Sequence, residues 1–159
     1  MATNREKIAK LYKKYDLTPD EVFKHQHYTI ITRAGIDKIQ GIEQIKIHYD
    51  VIKCKPEFAV VKANADKEGA SIQTFGSALV ADTKIEKTLV KKQNKDNPLD
   101  RYDFTLLDDI KITRTGNCNT WYVMEMAEKR AMSRAVLKLT GFYELGVFGE
   151  DESEDFKRK

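Results

Sequence analysis

The chain has 159 residues, of which 41% are hydrophobic and 33% charged, and its formal net charge is +3. This length predicts one domain, with a helical arm or a tail added to it. No apolar run approaches the roughly 20 residues that span a bilayer, and the N-terminal basic residues precede no apolar run. We therefore expect neither an integral membrane protein nor a secretory signal.

Charge is unevenly distributed along the chain. The last ten residues contain five acids and three bases, and the rest of the chain has 25 bases and 20 acids, a net charge of +5. A basic body suggests a polyanionic partner. The segment 149–159 is too acidic to pack and is predicted to be a disordered tail, which could solubilise the chain, recruit a basic partner or compete with a polyanion.

Residues 1–26 are predicted to form a helical arm. Thr3 or Asn4 can cap a first helix that reaches about Lys14 on the pattern of its apolar residues. A hydroxyl cap, a proline and two acids at residues 18–21 predict a second, short helix that ends near Lys24.

Residues 27–148 are predicted to form an α+β core. Tyr28–Ile31 is rich in β-branched residues and predicts a short strand. Thr32 can then cap a helix, for which Gly41 is the expected C-terminal residue.

Three consecutive antiparallel strands are predicted next. Alternating or β-branched runs at 45–53, 58–65 and 71–81 have strand periodicity, and the turn residues 66–69 join the second run to the third. Gly76 is a candidate bulge in the third strand.

The segment 84–118 begins with a lysine-rich stretch that Asn97-Pro98 interrupts. We predict one further strand within residues 102–112 and a turn at residues 115–117.

A long helix is predicted from about Trp121 to Leu139, with Gly141 at its C-terminal end. Ala127, Ala131 and Ala135 recur every fourth residue, so they lie on one helix face and allow close approach to a sheet.

A basic stripe lies beside these alanines. Arg130, Arg134 and Lys138 recur every fourth residue, with Lys129 adjacent, and we predict that they form an exposed ridge about 12 Å long that binds backbone phosphates. The alternative is a solvated basic face, which the favourable pair of Glu125 and Lys129 supports in part.

Four residues outside the stripe are further candidates for DNA binding. Lys53, Lys55 and Lys62 lie on or beside predicted strands and could line a groove or merely solubilise an edge strand. Trp121 could stack on a base, or it could be a core or interface residue.

The hairpin that ends in Gln73-Thr74-Phe75-Gly76, followed by a helix with the sequence AEKRAMSRAVLKLTG, resembles the core of Rad-type single-strand annealing proteins and their phage relatives. The resemblance covers about residues 27–145 and implies a β-β-β-α unit whose helix lies on the sheet. It also implies that Arg134 faces bound DNA, and that the chain assembles into rings or filaments. Ser133, where the family often has a basic residue, and the long segment 82–118 depart from the family pattern.

Enzymatic motifs are not evident in the sequence. The eight glycines form no phosphate-binding loop, and no nucleophile motif or converging set of acids is apparent. The two cysteines and three histidines have no zinc spacing, so we predict no metal or cofactor, and the free thiols fit a reducing cytoplasm.

We therefore expect a non-enzymatic, homo-oligomeric, cytoplasmic protein of a bacterial or phage-infected cell. It would bind single-stranded DNA and promote strand annealing in phage recombination, repair or replication without ATP. An RNA-binding or double-strand-binding module and a protein-interaction or inhibitor module that acts through the acidic tail are the alternatives.

Overall fold

The computed structural model describes residues 3–80, 83–86, 89–92, 103–106, 111–114, 118 and 120–153. The chain divides into two compact units, one made of Met1–Val80 and Asn117–Lys159 and the other of Ala81–Gly116. The fold is α+β, as predicted. Within the described ranges, no helix is long and apolar enough to cross a membrane.

The first helix, α1, spans Asn4–Lys14 and has the predicted N-terminal cap. The main-chain N–H of Glu6 donates to the Thr3 hydroxyl at 3.3 Å, and the Thr3 N–H donates to the Glu6 carboxylate at 2.9 Å. These two bonds satisfy donors that the first turn of a helix otherwise leaves unpaired.

The second predicted helix begins where expected, after Thr18, but it does not reach Lys24. Pro19–Glu21 forms a single 3₁₀ turn, and the chain then extends as β1, Val22–His25. This strand is antiparallel to β2, Tyr28–Ile31, so pairing between strands overrides the local helix-start pattern.

The helix α2 spans Arg33–Glu43, and its Thr32 cap accepts a hydrogen bond from the Gly35 N–H. The predicted end at Gly41 is wrong, because the helix continues to Glu43 and ends at Gln44, whose φ is 50°. Glu43 is held by contacts from outside α2, which fixes this last turn.

The main sheet consists of β3, Lys46–Lys55, β4, Phe58–Lys67, and β5, Ala70–Leu79, in that order, with antiparallel pairing. Lys67 pairs with Ala70 around a tight turn in which Gly69 has φ 77°, which confirms the predicted hairpin. The bulge predicted at Gly76 is wrong, because the β4–β5 register is continuous there. The irregularity lies on β3, between Val51 and Lys53.

The described residues of the second unit form two antiparallel strand pairs. β6, Thr83–Glu86, pairs with β9, Lys111–Arg114, and β7, Leu89–Lys92, pairs with β8, Asp103–Leu106. The range 102–112 does contain a strand, as predicted, but that strand is the short β8, and β9 begins at the end of the range. The predicted break at Asn97-Pro98 and the turn at 115–117 lie outside the described residues.

The long helix α3 spans Val123–Leu139 after a 3₁₀ turn at Thr120–Tyr122. Its alanines at 127, 131 and 135 are fully buried against the main sheet, as predicted. Gly76 makes this contact possible, because a Cβ atom there would lie 2.0 Å from the carbonyl oxygen of Ala127. The helix ends before Gly141, whose φ is 79°.

The predicted disordered tail is wrong for its first residues. β10, Val147–Gly149, pairs with β2 in parallel, and Glu150–Glu152 forms a 3₁₀ turn in contact with α3. Glu152 and Ser153 are buried. Residues 154–159 lie outside the described residues.

Candidate nucleic-acid interface

Arg130, the first arginine of the basic stripe, is buried rather than exposed. Only 2% of its surface is accessible. Its Nε donates to the carbonyl oxygen of Asp151 at 2.9 Å, and its Nη1 donates to that of Ser77 at 2.9 Å. The prediction of an exposed ridge is therefore wrong at this residue, because the close approach of α3 to β5 places it between the strand and the C-terminal segment.

Arg134 is held in a similar way, although a third of its side chain remains exposed. Its Nη1 donates to the carbonyl oxygen of Phe75 at 2.8 Å, and its Nε forms an ion pair with the Glu152 carboxylate. Together with Arg130, it bonds the main-chain carbonyls of Phe75 and Ser77 on β5, so these two acceptors are satisfied without a further strand.

The two lysines of the stripe lie beside aromatic rings. Lys129 Nζ is 4.4 Å from the ring centroid of Tyr122, and Lys138 Nζ is 5.2 Å from that of Tyr143. The two positions are about 14 Å apart along the helix at ~1.5 Å per residue. With the arginines between them buried or ion-paired, the stripe is not a continuous cationic surface.

Trp121 lies in the 3₁₀ turn that precedes α3 and is 80% exposed. It is therefore accessible, as base stacking requires, but it lies at the end of the helix layer. It belongs to no strand, whereas Lys53, Lys55 and Lys62 are residues of β3 and β4.

Those three lysines share the outer face of the main sheet. α3 covers the inner face, where alternate residues of β4 such as Val61 and Ala63 are buried. Lys62 lies between these two residues and therefore points to the opposite side. On this outer face, away from α3, the side chains of β3, β4 and β5 are exposed or half-buried.

The strand register arranges this outer face in rows. Asp50, Lys62 and Phe75 are directly opposite one another, as are Lys53, Val60 and Ser77 in the next row and Lys55, Phe58 and Leu79 in the third. Neighbouring rows are about 7 Å apart, from the ~3.3 Å rise per strand residue. We call these three rows the open sheet face.

The open sheet face combines cations with aromatic surface. It contains three lysines and one acid, Asp50, which accepts a hydrogen bond from the Asn64 side chain at 2.7 Å. Phe75 is 51% exposed, and Lys53 Nζ is 5.9 Å from the ring centroid of Phe58. Ammonium groups that can bind phosphates next to rings that can stack on bases are the chemistry of single-strand binding surfaces.

The remaining rows of the same face are more polar and their charges balance. Lys46 pairs with Asp66 across the strands, and His48 pairs with Asn64, which pairs in turn with Gln73. The cationic and aromatic groups are therefore concentrated at the end of the sheet where β3 finishes and β4 begins.

Sequence reasoning missed Phe58, Phe75 and Leu79 as site residues. The predicted hairpin contained the necessary information, because counting back from its turn places Lys62 opposite Phe75. The alternation with buried alanines then assigns both residues to the side away from the helix.

Among the described residues, no group of three or more histidine, cysteine, aspartate or glutamate side chains could hold a metal ion. Comparison with models of known protein families, with curated proteins and with solved structures found no match.

Proposed function

We propose that this protein binds single-stranded DNA on the open sheet face. One observation carries the proposal: Lys53, Lys55 and Lys62 lie among Phe58 and Phe75 on a sheet surface that the packed helix leaves uncovered. A single strand can offer both phosphates and unstacked bases to such a surface.

The lysines would bind phosphates, and Phe58 and Phe75 would stack on bases. Neutralising the phosphates lowers the repulsion between two DNA strands, and stacking on a ring leaves the pairing edge of a base free. These two effects favour annealing without nucleotide hydrolysis. Arg130 and Arg134 both contact β5, but only Arg134 is partly exposed, so it is the arginine of the basic stripe that would border the DNA.

The wider role rests on the residue pattern described above. Resemblance to single-strand annealing proteins implies a homo-oligomer that acts in phage recombination, repair or replication. The observed order of three antiparallel strands followed by a packed helix is the order that the resemblance implied. We accordingly propose a non-enzymatic annealing protein of the cytoplasm.

Fluorescence anisotropy with a labelled single strand of about 20 nucleotides tests the site, since single-strand modules cover roughly 4–16 nucleotides. Phe75→Ala is expected to weaken binding about tenfold, in line with ~1–3 kcal/mol per stacked base. Lys53→Ala/Lys55→Ala should also weaken binding, and should reduce the slope of log K against log salt by about 0.7 for each phosphate that is no longer bound.

Lys46→Ala/Lys138→Ala is the matched control, because it removes the same charge from outside the open sheet face. Its affinity should stay closer to that of the unchanged protein. Absence of binding at low salt, or equal reductions in affinity for the control and the Lys53/Lys55 variant, would refute the proposed site. Arg130 is left unchanged throughout, since its burial makes any substitution there a change to the fold.

The two alternative ligands are compared in the same assay by competition with duplex DNA and with RNA of equal length. The proposal expects single-stranded DNA to compete best, and a preference for RNA or duplex would replace it. The tail-mediated alternative has less support, because Asp151 accepts a hydrogen bond from Ser133 and Glu152 pairs with Arg134. Annealing itself is measured with two complementary labelled strands in the absence of ATP.

A further inference from the structure

The two edges of the main sheet differ in accessibility. On β5, the carbonyl groups of Phe75 and Ser77 already accept hydrogen bonds from Arg134 and Arg130. β3 is the opposite edge, and it pairs with β4 alone among the strands that the structure describes. A second strand can therefore add at β3 but not along this part of β5.

The middle of β3 exposes apolar side chains. Val51 and Ile52 are each 57% exposed, although they are adjacent in a strand of ten residues. An edge with exposed apolar groups favours pairing with another strand.

The β3 irregularity changes which residues share a face. Asp50 is opposite Lys62, and Lys53 is opposite Val60, so both lie on the outer face although one has an even number and the other an odd one. In a regular strand, side chains alternate between the two faces. When two copies of such a strand pair in antiparallel fashion, even-numbered residues therefore lie opposite even-numbered ones and odd-numbered residues opposite odd-numbered ones. In β3 the outer-face residues have even numbers before the irregularity and odd numbers after it. A register that pairs an even-numbered residue of one copy with an odd-numbered residue of the other therefore places outer-face side chains opposite each other.

One such register is chemically self-complementary. When Val51 is opposite Ile52 of a second copy, Asp50 is opposite Lys53 on the outer face and Tyr49 is opposite Cys54 on the inner face. A two-fold axis then relates two Asp50–Lys53 pairs, which lie on either side of an apolar centre formed by Val51 and Ile52 of both copies. Opposite charges that face each other across strands stabilise a pair, and like charges destabilise it.

We propose that two copies of this chain associate through antiparallel pairing of their β3 strands in this register. The lysines at positions 46, 53 and 55 and the irregularity would weaken pairing with arbitrary strands. In the register described, side chains of the same face lie opposite each other and each Lys53 lies opposite Asp50 of the other copy. The β3 edge therefore favours pairing with a second copy of this chain.

Pairing would join two three-stranded sheets into a sheet of six strands. Lys53 and Lys55 of both copies would then lie near the two-fold axis, and the two open sheet faces would become continuous. A longer DNA path across both copies rests on the proposed function, whereas the pairing of the strands does not.

Sedimentation equilibrium of the full chain without nucleic acid, over a hundredfold range of concentration, tests the pairing through a charge exchange. Asp50→Lys and Lys53→Asp should each weaken the dimer at least about tenfold, since each places like charges opposite each other twice. Asp50→Lys/Lys53→Asp should restore it. Lys46→Asp, which makes the same charge change as Lys53→Asp outside the paired residues, should leave it intact.

A covalent test does not depend on the stability of the charge variants. With Cys54→Ser as background, Asp50→Cys/Lys53→Cys should form disulfide-linked dimers under a mild thiol oxidant, since the register makes these positions opposite. Asp50→Cys/Lys46→Cys should not, because neither cysteine has a partner across the axis.

A monomeric unchanged protein at every concentration would overturn the proposal, as would a charge-exchanged double variant no better than the single ones. So would equal cross-linking of the two cysteine variants. These measurements contain no nucleic acid, so their outcome is independent of the DNA-binding test. The effect of Phe75→Ala on DNA affinity can be measured whether the protein is a monomer or a dimer.

Discussion

At the scale of single residues, Glu43 joins three elements. Its carboxylate accepts hydrogen bonds from Lys14 Nζ at 2.5 Å and from the Tyr15 hydroxyl at 2.6 Å, and it pairs with Lys67 Nζ at 2.6 Å. The contacts from Lys14, Lys67 and Tyr15 lower the pKa of Glu43 from its usual value of 4.5 to about 2. The end of α2 is thus fixed to α1 and to β4.

This pKa predicts a loss of stability in acid. A carboxyl group whose pKa is lower in the folded state stabilises the fold above its unfolded pKa, and this contribution disappears as the pH falls from about 4.5 to about 2. Screening at the exposed Lys14 reduces the effect to roughly 1–2 kcal/mol. Urea unfolding near pH 6 and pH 3 should show a smaller pH effect in Glu43→Gln than in the unchanged protein.

Glu68→Gln, at an exposed residue of the β4–β5 turn, is the control for this experiment. It should keep the pH dependence of the unchanged protein. The same dependence in Glu43→Gln would show that the Glu43 contacts do not contribute to acid sensitivity.

The basic stripe shows where prediction from single residues stops. The spacing of Arg130, Arg134 and Lys138 correctly placed them along one helix, and Lys138 is exposed. Whether an arginine is buried depends on residues that are distant in sequence, here Ser77 and Asp151 for Arg130. No local pattern identifies such partners, because they depend on how the C-terminal segment folds back over the helix.

At the scale of elements, the contact between α3 and β5 depends on a missing side chain. Gly76→Ala would place a Cβ within 2.0 Å of the Ala127 carbonyl oxygen and 2.4 Å of the Ala131 nitrogen, both of them main-chain atoms. We expect a loss of about 2–3 kcal/mol in the free energy of unfolding, because the helix must move away from the sheet. Thermal unfolding followed by circular dichroism measures the change.

Gly41→Ala is the matched control, since it makes the same substitution in a helix where the added Cβ meets no other part of the protein within 4 Å. It should raise the free energy of unfolding by about 0.5–1 kcal/mol, because alanine is the better helix former. If Gly76→Ala is as well tolerated as Gly41→Ala, the close approach is not a determinant of stability.

Elements with a clear period were predicted well. The alternation in β4 and the tight turn at Gly69 give the hairpin, and apolar or small residues at helical spacing give α1 and α3. β1 was missed because a proline and two acids match a helix start, whereas its pairing with β2 depends on tertiary context. The packed turn Glu150–Glu152 was missed because composition does not reveal that its acids reach Arg134 and Ser133 on α3.

At the scale of the whole molecule, the larger unit contains the hydrophobic core of buried residues that the structure describes. Its two chain segments meet where Val80 forms an isolated parallel bridge with Cys118. The Cys118 N–H donates to the carbonyl oxygen of Leu79 at 3.2 Å. A short linker can therefore join residues 80 and 118 without displacing either.

Replacing residues 82–116 by a short glycine–serine linker should leave a folded protein. Closing a shorter loop costs slightly less conformational entropy, and the core residues stay in place. We expect one cooperative thermal transition and unchanged affinity for single-stranded DNA, measured by circular dichroism and by anisotropy. A non-cooperative transition would show that the larger unit needs the smaller one to fold, and weaker binding by a cooperatively folded variant would assign part of the DNA interface to residues 82–116.

The parallel pairing of β2 with β10 has a consequence for biosynthesis. Thr29 is aligned with Val147 and Ile31 with Gly149, so β2 acquires its second neighbour only after residue 149 has left the ribosome. Until then the nascent chain has one side of an apolar strand without hydrogen-bonded partners, and contacts so distant along the chain form slowly. The β1–β2–β10 sheet therefore cannot be completed before residues 147–149 emerge, and until then the open edge of β2 is available for non-native pairing.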